Sequence, residues 1–327
     1  MIRFFRNSYI IQYVTVALIG LALWIPAFVT GDVDASWRSP VAPLYNWIAD
    51  LLDFWPYALL ILAFALNAFD AVFFNSILAS NQIISKVSTL GAVVFLLVMN
   101  IVPAQTGFYP FLLASVFILM FLHTLFLINQ AQRPEFYLFN AGLYLSLATM
   151  CSFPSLLLVV WGTIALSIIH KGSLRLHLIP ILGLLLPYFI YFSVHFLKGD
   201  LMTVLRAYGD FFANIRLTLE GFSWFRMGLL LFLLIVSAMP LFMPRNYSFE
   251  KTVTVRTRIT MTIILLFFGI FMLFLEGDPM QSGVFFIALS VLFSYELAYL
   301  NGLRWSNVTF AVFLFGVLAM HYVPLFL

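Results

Sequence analysis

The sequence predicts an all-α fold, a polytopic transmembrane bundle of about eleven helices that includes a broken central hairpin. Three observations lead there. Hydrophobic side chains make up 64% of the 327 residues and charged ones 9%, and the mean hydropathy is +1.07; a soluble globular chain does not have that balance. The apolar residues come in long unbroken runs, where an outer-membrane barrel would alternate over segments of about ten residues. The stretch from Phe136 to Ile169 holds 34 residues without a charge. That is too long for one span of about 20 residues and too short for two full spans with an ordinary loop.

The elements follow in order. Tyr9 to Val29 succeeds Arg3 and Arg6 and lacks a small-residue cleavage site, so it reads as a retained signal anchor. A polar loop, Thr30 to Pro43, leads to a short amphipathic piece, Leu44 to Phe54. Spans are expected at Trp55 to Phe74, Leu90 to Val102 and Tyr109 to Ile128. The central hairpin comes next. Pro154 cannot donate to the preceding turn and pushes Phe153 out of the helical region, so the break falls at Cys151 to Pro154. Irregular backbone at membrane depth needs protein or a wet cavity around it, which makes this hairpin the expected centre of the molecule. Further spans are His177 to Leu197, Phe225 to Met243, Ile259 to Leu275, Gly283 to Leu300 and Val308 to Leu327. Between Lys198 and Trp224 the charges are spaced as in an interfacial amphipathic helix, and no soluble domain interrupts the pattern, so residues 1–327 read as a single integral membrane domain.

Loop charges orient the bundle, because lysine and arginine gather on the cytoplasmic side. With the amino terminus inside, the inner loops carry Lys86, Arg133, Lys171, Arg175, Arg245, Lys251, Arg256, Arg258 and Arg304. The outer loops carry Asp32, Asp34, Asp50, Asp53, Glu276 and Asp278, and the carboxyl terminus falls outside. A net charge of +3, spread over short loops, points to no nucleic-acid partner. The single cysteine, Cys151, excludes an internal disulfide and a cysteine-based metal cluster. No phosphate-binding glycine loop, dinucleotide fingerprint or His-Glu-x-x-His is present, which argues against the familiar ATPases, dinucleotide enzymes and zinc proteases.

From Asn140 to Asp200 the order of features carries a resemblance. NAGLYLSLATMCSFPSLLLVVWGTIAL, a basic turn at His170 to Arg175 and IPILGLLLPYFIYFSVHFLKGD resemble the central helices of the GT-C class of polyprenyl-phosphate-dependent glycosyltransferases. More narrowly, they resemble an uncharacterised family of bacterial multi-pass inner-membrane proteins, and LNAFDAVFFNSILASNQIISK extends that match. The resemblance implies a GT-C-like bundle in the bacterial cytoplasmic membrane and transfer of a sugar from a polyprenyl-phosphate carrier at the outer face. The class places an acidic residue in the first outer loop, where it acts on the acceptor or on a metal. Here that place reads GDVDASWRSPVAPLY, giving Asp32 and Asp34, with Arg38 near enough to meet a phosphate.

The residues themselves admit more than one use. Asp32 and Asp34 are candidate general bases or ligands of a divalent metal, which favours oxygen; an outer loop also prefers acids on its own account. Arg38, Arg206 and Arg216 are candidates to hold a lipid-linked phosphate through charge-assisted hydrogen bonds, and such side chains equally snorkel to headgroups. Asn67, Asp70 and Asn75 form a polar stripe on the second span, and Glu296 sits toward the inner end of the tenth. Ionisable groups at such depth face the bundle, either as proton relays in a transporter or as inter-helix hydrogen bonds. The histidines show no metal spacing. The leading expectation is therefore a glycosyltransferase-like membrane protein. The alternatives are a transporter or flippase of a small or lipid-linked solute, and a non-catalytic subunit of an envelope assembly with other membrane proteins as partners.

Overall fold

The computed structural model describes residues 2–7, 9–30, 38–52, 55–101, 106–128, 131, 133–169, 174–213, 224–238, 249–276, 283–299 and 303–326. All regular structure among them is helical. The helices are α1 (Ile2–Phe5), α2 (Ile10–Thr30), α3 (Pro43–Leu52), α4 (Pro56–Ser80), α5 (Leu90–Met99), α6 (Pro110–Ile128), α7 (Pro134–Cys151), α8 (Leu158–Ile169), α9 (Leu174–Lys198), α10 (Leu201–Ala213), α11 (Trp224–Ala238), α12 (Phe249–Glu276), α13 (Val284–Tyr299) and α14 (Leu303–Phe326). Four of them, α3, α4, α6 and α7, begin on proline, which has the right φ for a first turn and whose missing N–H costs nothing there.

Each expected apolar run contains one helix, and α1, α3 and α10 are additional, so the helices outnumber the eleven expected spans. Five are long and apolar enough to cross a membrane: Ile10–Val29, Tyr57–Ser80, Pro110–Ile128, Arg175–Lys198 and Thr254–Leu273. Their outward faces fit that use. Along α9, Leu182, Leu185, Phe189 and Ile190 are all more than half exposed, an apolar surface that water would not tolerate on a single face.

The break in the central hairpin lies where Pro154 predicts it. Helix α7 stops at Cys151, Ser152 is extended with φ −139° and ψ 102°, and Phe153–Leu157 form a short 3-10 turn before α8. The arms do not pair, however. Helix α7 packs along α6 and α9, while α8 packs against α12 and α6. The enclosed centre is instead made by α5, buried at all ten positions, and by α13, buried from Val284 to Leu297. A second difference concerns α12, which begins ten residues before the expected Ile259. It draws Lys251, Arg256 and Arg258 out of the expected loop and onto a helix.

The contact between α7 and α9 depends on two glycines. A Cβ on Gly142 would lie 2.0 Å from the Pro180 carbonyl oxygen, and one on Gly183 would lie 2.3 Å from that of Phe139. Only hydrogen at both positions lets the backbones touch, the close approach by which membrane helices gain packing.

Candidate functional site

Three polar groupings stand out in this apolar framework. The first surrounds the end of α5. Ten residues of helix are about 15 Å long, half of a hydrocarbon core of about 30 Å, and the last turn of α5 closes on Asn100, which is fully buried. The Asn100 side chain folds back, its Nδ2 donating to the Leu96 carbonyl at 2.7 Å, while its Oδ1 accepts from Asn67 Nδ2 of α4 at 3.2 Å. Its own carbonyl accepts from His321 Nε2 of α14 at 2.7 Å. A carbonyl can only accept, so the Nε2 of that imidazole carries the hydrogen.

One turn along α4, on the same face as Asn67, lies Asp70, also fully buried. Its Oδ2 is 2.5 Å from Ser115 Oγ of α6, and its Oδ1 has no hydrogen-bond partner among the described residues; Asn67 Oδ1 is likewise unpaired. Tyr109, buried at the start of α6, lies within electrostatic reach of Asp70. Asn75 completes the stripe differently, donating to the Ser88 carbonyl at 2.8 Å and accepting from the Ala92 N–H at 3.3 Å, so that it caps the start of α5. A single face of α4 thus holds both ends of α5. Two orphan acceptors on adjacent turns, beside a helix carboxyl end, are suited to receive a proton, a water or a small cation.

The second grouping is centred on Arg258, which is only 3% exposed. Its Nη1 donates to the Asn81 carbonyl at 2.5 Å and its Nη2 to the Phe126 carbonyl at 3.2 Å. Those oxygens belong to the carboxyl ends of α4 and α6, where unpaired carbonyls carry the negative end of the helix dipole. Sequence reasoning placed Arg258 in a cytoplasmic loop; in the fold it is a buried tie from α12 to two other helices. The Asn81 side chain also reaches His123 Nδ1 at 3.4 Å.

The third grouping lies at the opposite end of α4, where α3, the break after α7 and α10 converge. Phe153 meets the rings of Tyr208, Phe211 and Phe212 at centroid distances of 5.0, 5.1 and 5.4 Å, and Val41, Met150 and Tyr188 complete the cluster. Tyr188 donates to Thr149 Oγ1 at 3.0 Å, and Thr149 passes its own hydrogen to the Ser146 carbonyl at 2.7 Å. Burial, with Tyr188 and Tyr191 close by, pushes the Tyr208 phenol far up from its ordinary value. Beside the cluster lies an apolar groove of about 380 Å³ between α9 and α10, lined by Phe189, Phe192, Ser193, Phe196, Leu197 and Leu201.

The residues singled out in the sequence are distributed unevenly over this picture. Asp32, Asp34 and Arg216 lie outside the described residues. Arg38 pairs with Asp50 of α3 at 3.0 Å, and Arg206 is exposed on α10. Asp70 and Glu296 are both fully buried, Glu296 in the last turns of α13. Among the described residues no three His, Cys, Asp or Glu side chains come together to hold a metal ion. The partners Ser115, Asn100 and His321 carry no signal in the sequence beyond being polar within apolar runs. Comparison of the chain with protein families, with curated proteins and with solved structures finds no match.

Proposed function

We propose that this protein is a multi-pass membrane carrier or flippase for a small or lipid-linked solute, working through the polar centre formed by Asn67, Asp70, Asn100 and Ser115. The observation that supports this reading is the short, fully buried helix α5, which ends at Asn100 beside a buried carboxyl group with an unpaired oxygen. Interrupted helices of this kind build the midplane binding sites of secondary transporters, where helix ends and carboxyl groups hold the coupling ion. The family resemblance suggests a bacterial cytoplasmic membrane, and the loop charges favour the amino terminus inside and the carboxyl terminus outside.

A second reading keeps the GT-C-like glycosyltransferase, acting on a polyprenyl-phosphate-linked sugar at the end where α3 and α10 meet. It draws on the apolar groove between α9 and α10, of a kind that suits a lipid chain, and on the sequence pattern of Asp32 and Asp34, which lie outside the described residues. Cells that depend on the protein separate the two. Loss of function with Asp70→Asn, while Asp32→Ala and Asp34→Ala remain active, supports the carrier. The reverse pattern removes the carrier reading and moves the chemistry to the loop aspartates.

A further inference from the structure

Ser115 stands between two oxygen acceptors in the same centre. Its hydroxyl lies 2.7 Å from the Leu112 carbonyl oxygen and 2.5 Å from Asp70 Oδ2. A serine hydroxyl has one hydrogen to give, and a backbone carbonyl can only accept. If Asp70 were a carboxylate, two acceptors would compete for one hydrogen, and one short oxygen–oxygen contact would be left without a proton between them. If Asp70 is a neutral acid, both contacts are satisfied: Asp70 Oδ2–H donates to Ser115 Oγ, and Ser115 donates to Leu112. The unpaired Oδ1 points the same way. A neutral acid leaves there a carbonyl-like oxygen, whose burial without a partner costs a few kcal/mol, whereas an unpaired carboxylate oxygen in this interior costs far more. Asp70 meets no other hydrogen-bonding group among the described residues.

We infer that Asp70 is a proton-binding site, and that its bound proton joins α4 to α6 through Ser115 and the Leu112 carbonyl. This rests on the carrier reading and names its coupling ion. The step is a simple ionisation: the O–H bond of Oδ2 breaks, the proton passes to water, and the electron pair stays on the carboxylate. Ser115 then has one hydrogen for two acceptors. It must release either Asp70 or Leu112, so deprotonation unlocks the contact between the helices. Asp70 is the carboxyl group of this centre, and its other titratable side chain, His321 of α14, is held on the Asn100 carbonyl. Helix α5 carries no ionisable side chain, α2 offers Tyr13, α3 offers Tyr45 and Asp50, and α6 offers His123 near its far end. Tyr109 is the ionisable neighbour within electrostatic reach.

The test is infrared difference spectroscopy of the full-length protein in lipid vesicles at neutral pH, comparing the native chain with Asp70→Asn. The expected result is a carbonyl stretch of a protonated carboxylic acid that is lost in Asp70→Asn and shifts in Ser115→Ala, where its acceptor is gone. A native spectrum without such a band, or a band that neither variant alters, overturns the proposal. Should Asp70→Asn fail to fold, the Ser115→Ala shift decides alone. Proton uptake into vesicles, read with a pH-sensitive dye, keeps the two claims apart. A band at Asp70 without proton movement leaves the proton site standing and sinks the carrier, and proton movement without the band does the opposite.

Discussion

Replacing Gly142 by alanine tests the α7–α9 contact. The new methyl carbon would sit 2.0 Å from the Pro180 carbonyl oxygen and 2.8 Å from its carbon. A carbon and a carbonyl oxygen approach to about 3.3 Å at best, so α9 has to retreat by about 1.3 Å at that level. The obstacle is backbone, which cannot swing aside as a side-chain end can. Overpacking of this kind costs about 1–3 kcal/mol, and since about 1.4 kcal/mol is tenfold, the unfolding constant should rise roughly 5- to 150-fold. The assay is reversible unfolding of the purified protein by a denaturing detergent in mixed micelles, followed by helical circular dichroism. Gly209 is the control, because a Cβ there meets nothing within 4 Å; Gly209→Ala should stabilise by up to about 1 kcal/mol through helix propensity. Gly183→Ala acts at the same contact, so its effect should not add to that of Gly142→Ala. If Gly142→Ala is as stable as Gly209→Ala, the helices do not cross at these glycines and the packing argument fails.

Two further outcomes follow from the other groupings. Arg258→Ala removes both donors from the Asn81 and Phe126 carbonyls and should lower stability in the same assay by about 2–4 kcal/mol, whereas Arg258→Met, which fills the space but supplies no donor, should lose part of that; a methionine variant as stable as the native chain would show that the donors on the helix ends are not what matters. Burial raises the Tyr208 phenol in the folded state, while in the unfolded chain it ionises near pH 10. The folded form therefore holds its proton where the unfolded form releases one, and the contribution, complete below about pH 10, is lost as the pH climbs toward the folded value. Stability should fall on the alkaline side, less steeply in Tyr208→Phe, and an unchanged alkaline limb in that variant would refute the assignment.

Periodicity and proline made the helices legible. Apolar runs located helices, five of which are long and apolar enough among the described residues to cross a membrane, and prolines at 43, 56, 110 and 134 mark helix starts. Pro154 marks the break because a missing N–H has a purely local consequence. The inward direction of Asp70 was also readable, since a carboxyl group in an apolar run has nowhere else to go. What could not be read depends on which helices become neighbours. Arg258 resembles a loop charge until the carboxyl ends of α4 and α6 are brought to it. Gly142 and Gly183 are ordinary residues until α7 and α9 meet. The hairpin offered as the centre of the molecule proved to have diverging arms because α7 finds its partners in α6 and α9 and α8 in α12, a choice that no local pattern encodes.

The polar centre around α5 is best understood by asking what a purely structural network would look like. The Tyr188–Thr149–Ser146 chain passes each hydrogen to an acceptor, and Arg258 places two donors on helix ends that lack them. Around Asn67 and Asp70 two buried acceptor oxygens have no hydrogen-bond partner among the described residues; Arg258 Nε, Asn81 Oδ1 and Ser146 Oγ are unpaired too, but here the two oxygens sit on adjacent turns of one helix, and leucine at either position would leave no such group. A partly satisfied buried network is less stable than an apolar core of the same shape, so this one weakens the bundle at its most enclosed point. Departures from local consistency collect at working sites, where a ligand supplies what the resting fold lacks. An ion or proton arriving at Asp70 meets acceptors already in place, and its departure leaves Ser115 with a choice between two helices.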